Sequence, residues 1–203
     1  MEKLILASSS PQRREILIKL DIPFEVIPPE IDEITPKNLP PDAWPEHLAV
    51  QKARAVAARL SASQPGDPLF GCGVRIILAA DTLIVFRGAP YGKPGGAAQA
   101  ARFLADFSGD THTVLTAIAL LDRRSGEMRT KTCRAAVTFA PLSAGRIAQY
   151  LATGEWRGAA GGYRIQGAGR QLITRVEGLE SVVVGLPEEE LVQILAPGIP
   201  CLL

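Results

Sequence analysis

Residues 4–14 read LILASSSPQRR: a short apolar run, three serines, a proline and an arginine pair. This order describes a strand that ends in a hydroxyl-rich turn and opens a helix. Ser10 is a natural N-cap, Pro11 suits the first helical position with its fixed φ and missing N–H, and Ile16, Leu17 and Leu20 supply an apolar face. Arg13 and Arg14 then fall in the first turn, where unpaired amides and the positive end of the dipole disfavour cations by roughly 0.3–1 kcal/mol each. Something anionic should compensate them. Free amides, three hydroxyls and two guanidinium groups form a good receptor for a phosphate chain, because arginine offers planar forked donors to its oxygens. The plainer alternative is a capped helix with solvated arginines.

Working outward, Phe24–Ile27 reads as a short strand that runs into the acidic loop PPEIDEITP, and a helix is expected from about Ala43 to Leu60. The turn-rich stretch SASQPGDPLFGCG precedes a strongly apolar strand, Arg75–Phe86, and GAPYGKPGG reads as a loop before a helix at Ala97–Phe107. Thr113–Leu121 and Arg129–Phe139 are strand-like runs joined by the turn DRRSGE, an antiparallel hairpin in prospect. A helix at Ser143–Ala152, a glycine-rich segment, a strand at Leu172–Val176 and a helix from Pro187 to about Leu195 complete the pattern. Alternating strands and helices plus a hairpin predict an α/β fold with a mixed, twisted sheet flanked by helices, in one domain over 1–203.

Composition narrows the function classes. A net charge of +1 over 203 residues provides no broad basic surface, so neither nucleic acid nor an anionic membrane is an expected partner, and any anion site must be local. Cys72, Cys133 and Cys201 are odd in number and widely spaced, with no Cys-x-x-Cys pair, which fits a reducing, cytoplasmic location. No apolar run approaches the ~20 residues that cross a bilayer.

In IILAADTLIVF, strand alternation puts Asp81 on one face with Ile77, Ala79, Leu83 and Val85. An acid there is expensive unless paired or metal-bound, the alternative being a strand-end aspartate bonded to neighbouring amides. Glu30, Asp32 and Glu33 are a second carboxylate source, in a loop type that is ordinarily solvated. Lys52 lies four residues from both Leu48 and Val56, on or beside the apolar stripe, where a lysine normally snorkels outwards. Lys93 stands in YGKP, a loop fixed by glycine and proline that can aim an ammonium at a ligand. His112, in SGDTHT, reads as a hydrogen-bonding residue. No Ser-His-Asp arrangement, Walker loop or GxGxxG signature is present; what remains suits metal-assisted attack on a phosphate chain.

The segments LILASSSPQRREIL, FEVIPPEIDE, AVQKARAVA, AADTLIV, GKP, FSGDTHTVLTAIAL, YLATGEW, GGYRIQG and VVVGLP occur in an order that resembles the Maf family of nucleoside-triphosphate pyrophosphatases over nearly the whole chain. The resemblance implies a Maf/ITPase-like fold with a cleft between two lobes. It also implies a hydrolase that cuts between the α and β phosphates with a divalent metal, Mg²⁺ first and Mn²⁺ as the alternative. By motif, Asp81 would activate water, Glu33 and Asp81 would hold the metal, and Ser8, Ser10, Arg13, Arg14, Lys52 and Lys93 would bind the phosphates. Related proteins suggest a homodimer. Gln12 stands where many members have arginine, Ala159 where a lysine or arginine is usual, and Val182 where asparagine is frequent. Thr82 and Gln166 match the subgroup that prefers dTTP and UTP rather than 7-methyl-GTP, and Gln12 is a third selectivity position. A glutamine amide presents both a donor and an acceptor to the imide edge of thymine or uracil. The rival from another class is a nucleotide-binding regulator of cell division without turnover.

Overall fold

The computed structural model describes residues 3–32, 36, 38–63 and 74–195. Strand β1 (Leu4–Leu6) passes through the serine turn into α1 (Pro11–Lys19), followed by β2 (Phe24–Val26), a 3-10 turn at Pro41–Ala43 and the long helix α2 (Trp44–Ala62). Next come β3 (Ile76–Phe86), β4 (Ala89–Tyr91), α3 (Ala97–Phe107), β5 (Thr111–Asp122), β6 (Met128–Phe139) and α4 (Ala144–Ala152). Two 3-10 turns, Ala160–Gly162 and Ala168–Leu172, precede β7 (Ile173–Glu177), α5 (Glu180–Val184) and α6 (Glu188–Leu195).

The strands form one seven-stranded mixed sheet in the order β2-β1-β3-β5-β6-β7, with β4 beside β3. Strand β1 runs parallel to both neighbours, while β3, β5, β6 and β7 alternate in direction. The α/β class with a mixed sheet is therefore as expected. Among the described residues, no helix is long and apolar enough to cross a membrane.

Strand alternation sorts the core. Ile77 and Ala79 pack with Ile5, Ala7, Ala53, Val56 and Leu60, so the odd positions of β3 face α2. Leu78 and Ala80 pack with Leu4, Leu6, Ile16, Leu17, Leu186 and Leu191, beneath α1 and α6. Further along the same even-numbered face, Ile84 and Phe86 join Leu104, Phe107, Phe139, Tyr150, Trp156 and Tyr163 in a second cluster under α3 and α4. These two clusters are the cores of two lobes that share β3 and β5. Strand β1 pairs with β3 no further than Leu6 opposite Leu78, so β3 runs on beyond it, and a cleft opens at the carboxyl end of β1. Open α/β sheets bind ligands at such a place, where a parallel strand ends and the chain turns into a helix.

Two elements differ from the sequence reading. Ala89–Tyr91, expected as loop, pairs antiparallel with Ile84–Phe86 through a two-residue turn in which Arg87 and Gly88 have φ of 50° and 78°. Those dihedrals belong to a type I′ turn, but Arg-Gly lacks the usual Asn-Gly or Asp-Gly signature. Glu180–Val184 forms a helix despite its run of valines, because Val182 is buried against Cys133 and Ala135 and this packing overrides β propensity.

Candidate active site

A cleft of about 340 Å³ is lined by the serine turn, the start of α1, Lys52, Asp81, Thr82, Lys93, the glycine-rich segment and α5. Its volume lies within the ordinary range for small-molecule sites, roughly 300–1,000 Å³. Asp81 occupies an odd position of β3 and therefore points to the α2 side, where Lys52 meets it with Nζ–Oδ1 2.5 Å. The pair is buried, with side chains 6% and 10% exposed for Lys52 and Asp81 respectively. Lys52 does not snorkel: Leu48, Lys52, Val56 and Leu60 share the buried stripe of α2, and the carboxylate makes burial of the ammonium tolerable.

The serine turn and α1 form the second side. Arg13 is buried, and its guanidinium donates to the Gly185 carbonyl (2.8 Å), the Ala80 carbonyl (2.8 Å), Ser8 Oγ (3.1 Å) and Thr82 Oγ1 (3.2 Å). It thereby joins α1, β3 and the turn after α5. Ser8 Oγ also accepts from the Ser10 amide at 3.2 Å, so both of its lone pairs are occupied and its proton remains as a donor toward the cleft. Ser10 holds the N-cap position without a side-chain cap bond; its hydroxyl donates to Gln12 Oε1 at 3.2 Å. The first amides of α1 are thus left without a serine cap, in the cleft wall.

The glycine-rich segment makes the opposite wall. Gly161 has φ +66° and lies so close to β3 that a Cβ there would meet Ile84 Cδ1 at 2.3 Å, and its amide donates to the Gly92 carbonyl at 2.9 Å, beside Lys93. Tyr163 carries the wall inward: its hydroxyl and His112 Nε2 are 2.8 Å apart, amid Phe107 and Phe139. Burial drops the His112 pKa to about 4 and pushes the Tyr163 phenol well up, so the pair is neutral. Lys93, half-buried Arg164 and exposed Gln166 present polar groups from this side. The Arg164 backbone is fixed by a bond from its amide to Tyr150 Oη (3.1 Å), while Nη2 donates to the Arg157 carbonyl (2.9 Å).

The family model of the Maf-like protein matches residues 3–197. The chain belongs to the Maf family. Relatives named dTTP/UTP pyrophosphatase include one from Moorella thermoacetica, 45% identical over 97% of this chain and 95% of its own. One from Symbiobacterium thermophilum is 43% identical over 96% of this chain and 93% of its own, and one from Gloeobacter violaceus is 39% identical over 96% and 95%. A solved nucleoside-triphosphatase (dITP/XTP pyrophosphatase) from Mycobacterium abscessus is 18% identical over 69% of this chain and 75% of its own, with a TM-score of 0.41.

Of the residues singled out in this Maf sequence, Ser8, Ser10, Gln12, Arg13, Lys52, Asp81, Thr82, Lys93 and Gln166 all line the cleft. Arg14, half-buried on α1, is absent from that lining, and its Nε is buried without a hydrogen-bond partner among the described residues. Glu33 lies outside the described residues, as do Cys72 and Cys201. Arg164 and Tyr163 also line the cleft, and Arg164 was missed. Its signal was present: GGYRIQG puts an arginine two residues before Gln166, which in extended chain is the same side.

Proposed function

We propose that this Maf protein hydrolyses nucleoside triphosphates at the α phosphorus, releasing a nucleoside monophosphate and pyrophosphate, with dTTP and UTP preferred. The observation that carries the reading is Asp81: a carboxylate beside Lys52 in a cleft whose other lining offers amides, the Ser8 hydroxyl, Lys93 and Arg164. Such a lining suits the oxygens of a phosphate chain, and the carboxylate suits a water. Asp81 accepts a proton as that water attacks the α phosphorus; the bond from phosphorus to the oxygen bridging to the β phosphate breaks, and pyrophosphate leaves. Lys52 holds the carboxylate in place.

A divalent ion belongs to this reading. Among the described residues no three His, Cys, Asp or Glu side chains gather, and Asp81 is the one carboxylate in the described lining. This donor set fits Mg²⁺, which binds through one or two carboxylates and the substrate's own phosphate oxygens. Asp81 would hold it, with Glu33 as the second carboxylate from the sequence. When bound, the ion neutralises phosphate charge.

The base preference is supported by the relatives' names and by Thr82 and Gln166 in the lining. The test is pyrophosphate release from dTTP, UTP and 7-methyl-GTP with and without Mg²⁺, in wild type and Asp81→Asn. Release from dTTP and UTP that needs the metal and drops about 10²–10⁴-fold in a folded Asp81→Asn variant is expected. Orthophosphate as the first product, or unchanged turnover in Asp81→Asn, overturns the reaction. A higher kcat/KM for 7-methyl-GTP overturns the preference, and binding without any turnover leaves the regulator reading in its place.

A further inference from the structure

Thr116 sits on β5 directly opposite Thr82, fully buried and outside the cleft lining. Its Oγ1 lies 2.7 Å from the Val182 carbonyl oxygen and 2.9 Å from Thr82 Oγ1. These contacts fix every proton. A carbonyl can only accept, so the Thr116 proton points to Val182, and the Thr116 oxygen must then accept from Thr82. The Thr82 proton is committed inward, and its oxygen accepts from Arg13 Nη2. The result is a directed chain, Arg13 to Thr82 to Thr116 to the Val182 carbonyl, with no freedom to reverse.

We infer that Thr116 is a positioning residue for the active site: its one hydroxyl locks the Arg13–Thr82 pair to α5. Three cleft walls meet at this chain. Arg13 brings the start of α1, Thr82 is the neighbour of Asp81 on β3, and Val182 precedes Val183 and Val184, which line the cleft. Gly185 closes the junction: at φ +109° a Cβ there would stand 3.0 Å from Thr82 Oγ1. The direction of the chain also means that Thr82 meets a ligand as an acceptor, never as a donor. Thr116 itself touches no substrate; it acts by keeping Thr82 and the guanidinium in one arrangement.

The kinetic part of the test rests on the proposed hydrolysis. Thr116→Val keeps the shape and removes the hydroxyl, releasing the Thr82 proton and leaving the Val182 carbonyl without its donor; Thr116→Ser restores the donor. Expected for Thr116→Val is a kcat for dTTP about tenfold lower with KM within about twofold, measured per folded molecule well below Tm, and recovery in Thr116→Ser. In the same variant, amide exchange across residues 180–186 should be faster than wild type and should return in Thr116→Ser. Adding Thr82→Val to Thr116→Val should change kcat less than Thr82→Val does alone, because both break one chain. A lower Tm with unchanged kcat and unchanged exchange overturns the inference, as do strictly additive effects of the two substitutions. Should the wild type release no pyrophosphate, the proposed reaction falls, and exchange across 180–186 alone decides for or against Thr116.

Discussion

Two walls of the cleft, that of α1 and that of the glycine-rich segment, use arginine in opposite ways. On the α1 wall, Arg13 is buried, and four protein acceptors from three elements fasten its guanidinium. On the glycine-rich wall, Arg164 is half-buried with its backbone held, and among the described residues one carbonyl, that of Arg157, accepts from its guanidinium. An arginine in a segment expected to bind phosphates is therefore not automatically a phosphate ligand. Arg13 shapes the cavity and orients Ser8 and Thr82, whereas Arg164 retains donors that a ligand can take.

The difference is sharpest if Arg13 is truncated. Arg13→Ala leaves the buried Ala80 and Gly185 carbonyls without their donor, while Thr82 keeps its bond to Thr116; at roughly 1–3 kcal/mol for each buried group left unsatisfied, a loss of at least about 2 kcal/mol is expected in urea unfolding. Turnover should fall with it. Arg13→Lys should recover little, since a point charge cannot serve acceptors that lie around a planar fork. Near-native stability of Arg13→Ala, with a defect confined to KM, would give Arg13 the role assigned here to Arg164.

The glycine-rich wall has its own anchor, and pH reaches it. His112 is held neutral, with its pKa dropped to about 4 by burial, whereas in the unfolded chain it titrates near 6.5. Between these values the unfolded state binds the extra proton, so the stabilisation from neutral His112 is complete above about pH 6.5 and is lost as pH falls toward about 4. The expected loss across that window is about 3 kcal/mol. Urea midpoints measured from pH 7 to 4 should decline in wild type and decline less in His112→Phe/Tyr163→Phe, which also removes the buried Nδ1 that has no partner among the described residues. Equal pH slopes would place the acid sensitivity elsewhere than on His112.

How much of this was legible in the sequence follows from the range of each interaction. Strand alternation alone put Asp81 on the face with Ile77 and Ala79, and the helical spacing put Lys52 on or beside the apolar stripe of α2, where it was expected to snorkel outwards; its burial follows only once α2 packs on that face and the carboxylate meets it. The first helix was readable because Ser10 and Pro11 act locally. The locking of Arg13 was not, because its acceptors at Ala80 and Gly185 lie 67 and 172 positions away. A motif shows which side chains are present, but proton direction depends on partners from other strands, as Thr82, Thr116 and Val182 demonstrate. The β4 hairpin and α5 escaped for local reasons of the opposite kind: an Arg-Gly turn and a valine-rich helix each contradict ordinary propensity.

The smallest expected effect tests the other half of the comparison. Ala159 leaves its position in the cleft lining without a cation, and Arg164 brings one into the same wall. Its donors extend from a segment already fixed by Tyr150 and by Gly169, where a Cβ would meet the Arg164 carbonyl oxygen at 2.4 Å, so truncating the side chain should leave the backbone in place. Arg164→Ala should therefore change Tm little while raising KM for dTTP about tenfold, which corresponds to about 1.4 kcal/mol, with kcat held. Because phosphate oxygens are common to all nucleotides, UTP should suffer the same factor, and Arg164→Lys should keep part of the affinity. The penalty should shrink at high salt, since this side chain is partly exposed and its charge is screened. A defect that differs between dTTP and UTP would move Arg164 from the phosphates to the base, beside Gln166. An unchanged KM would leave the glycine-rich wall without a working cation at 164 and return the phosphate-binding role on this side to Lys93.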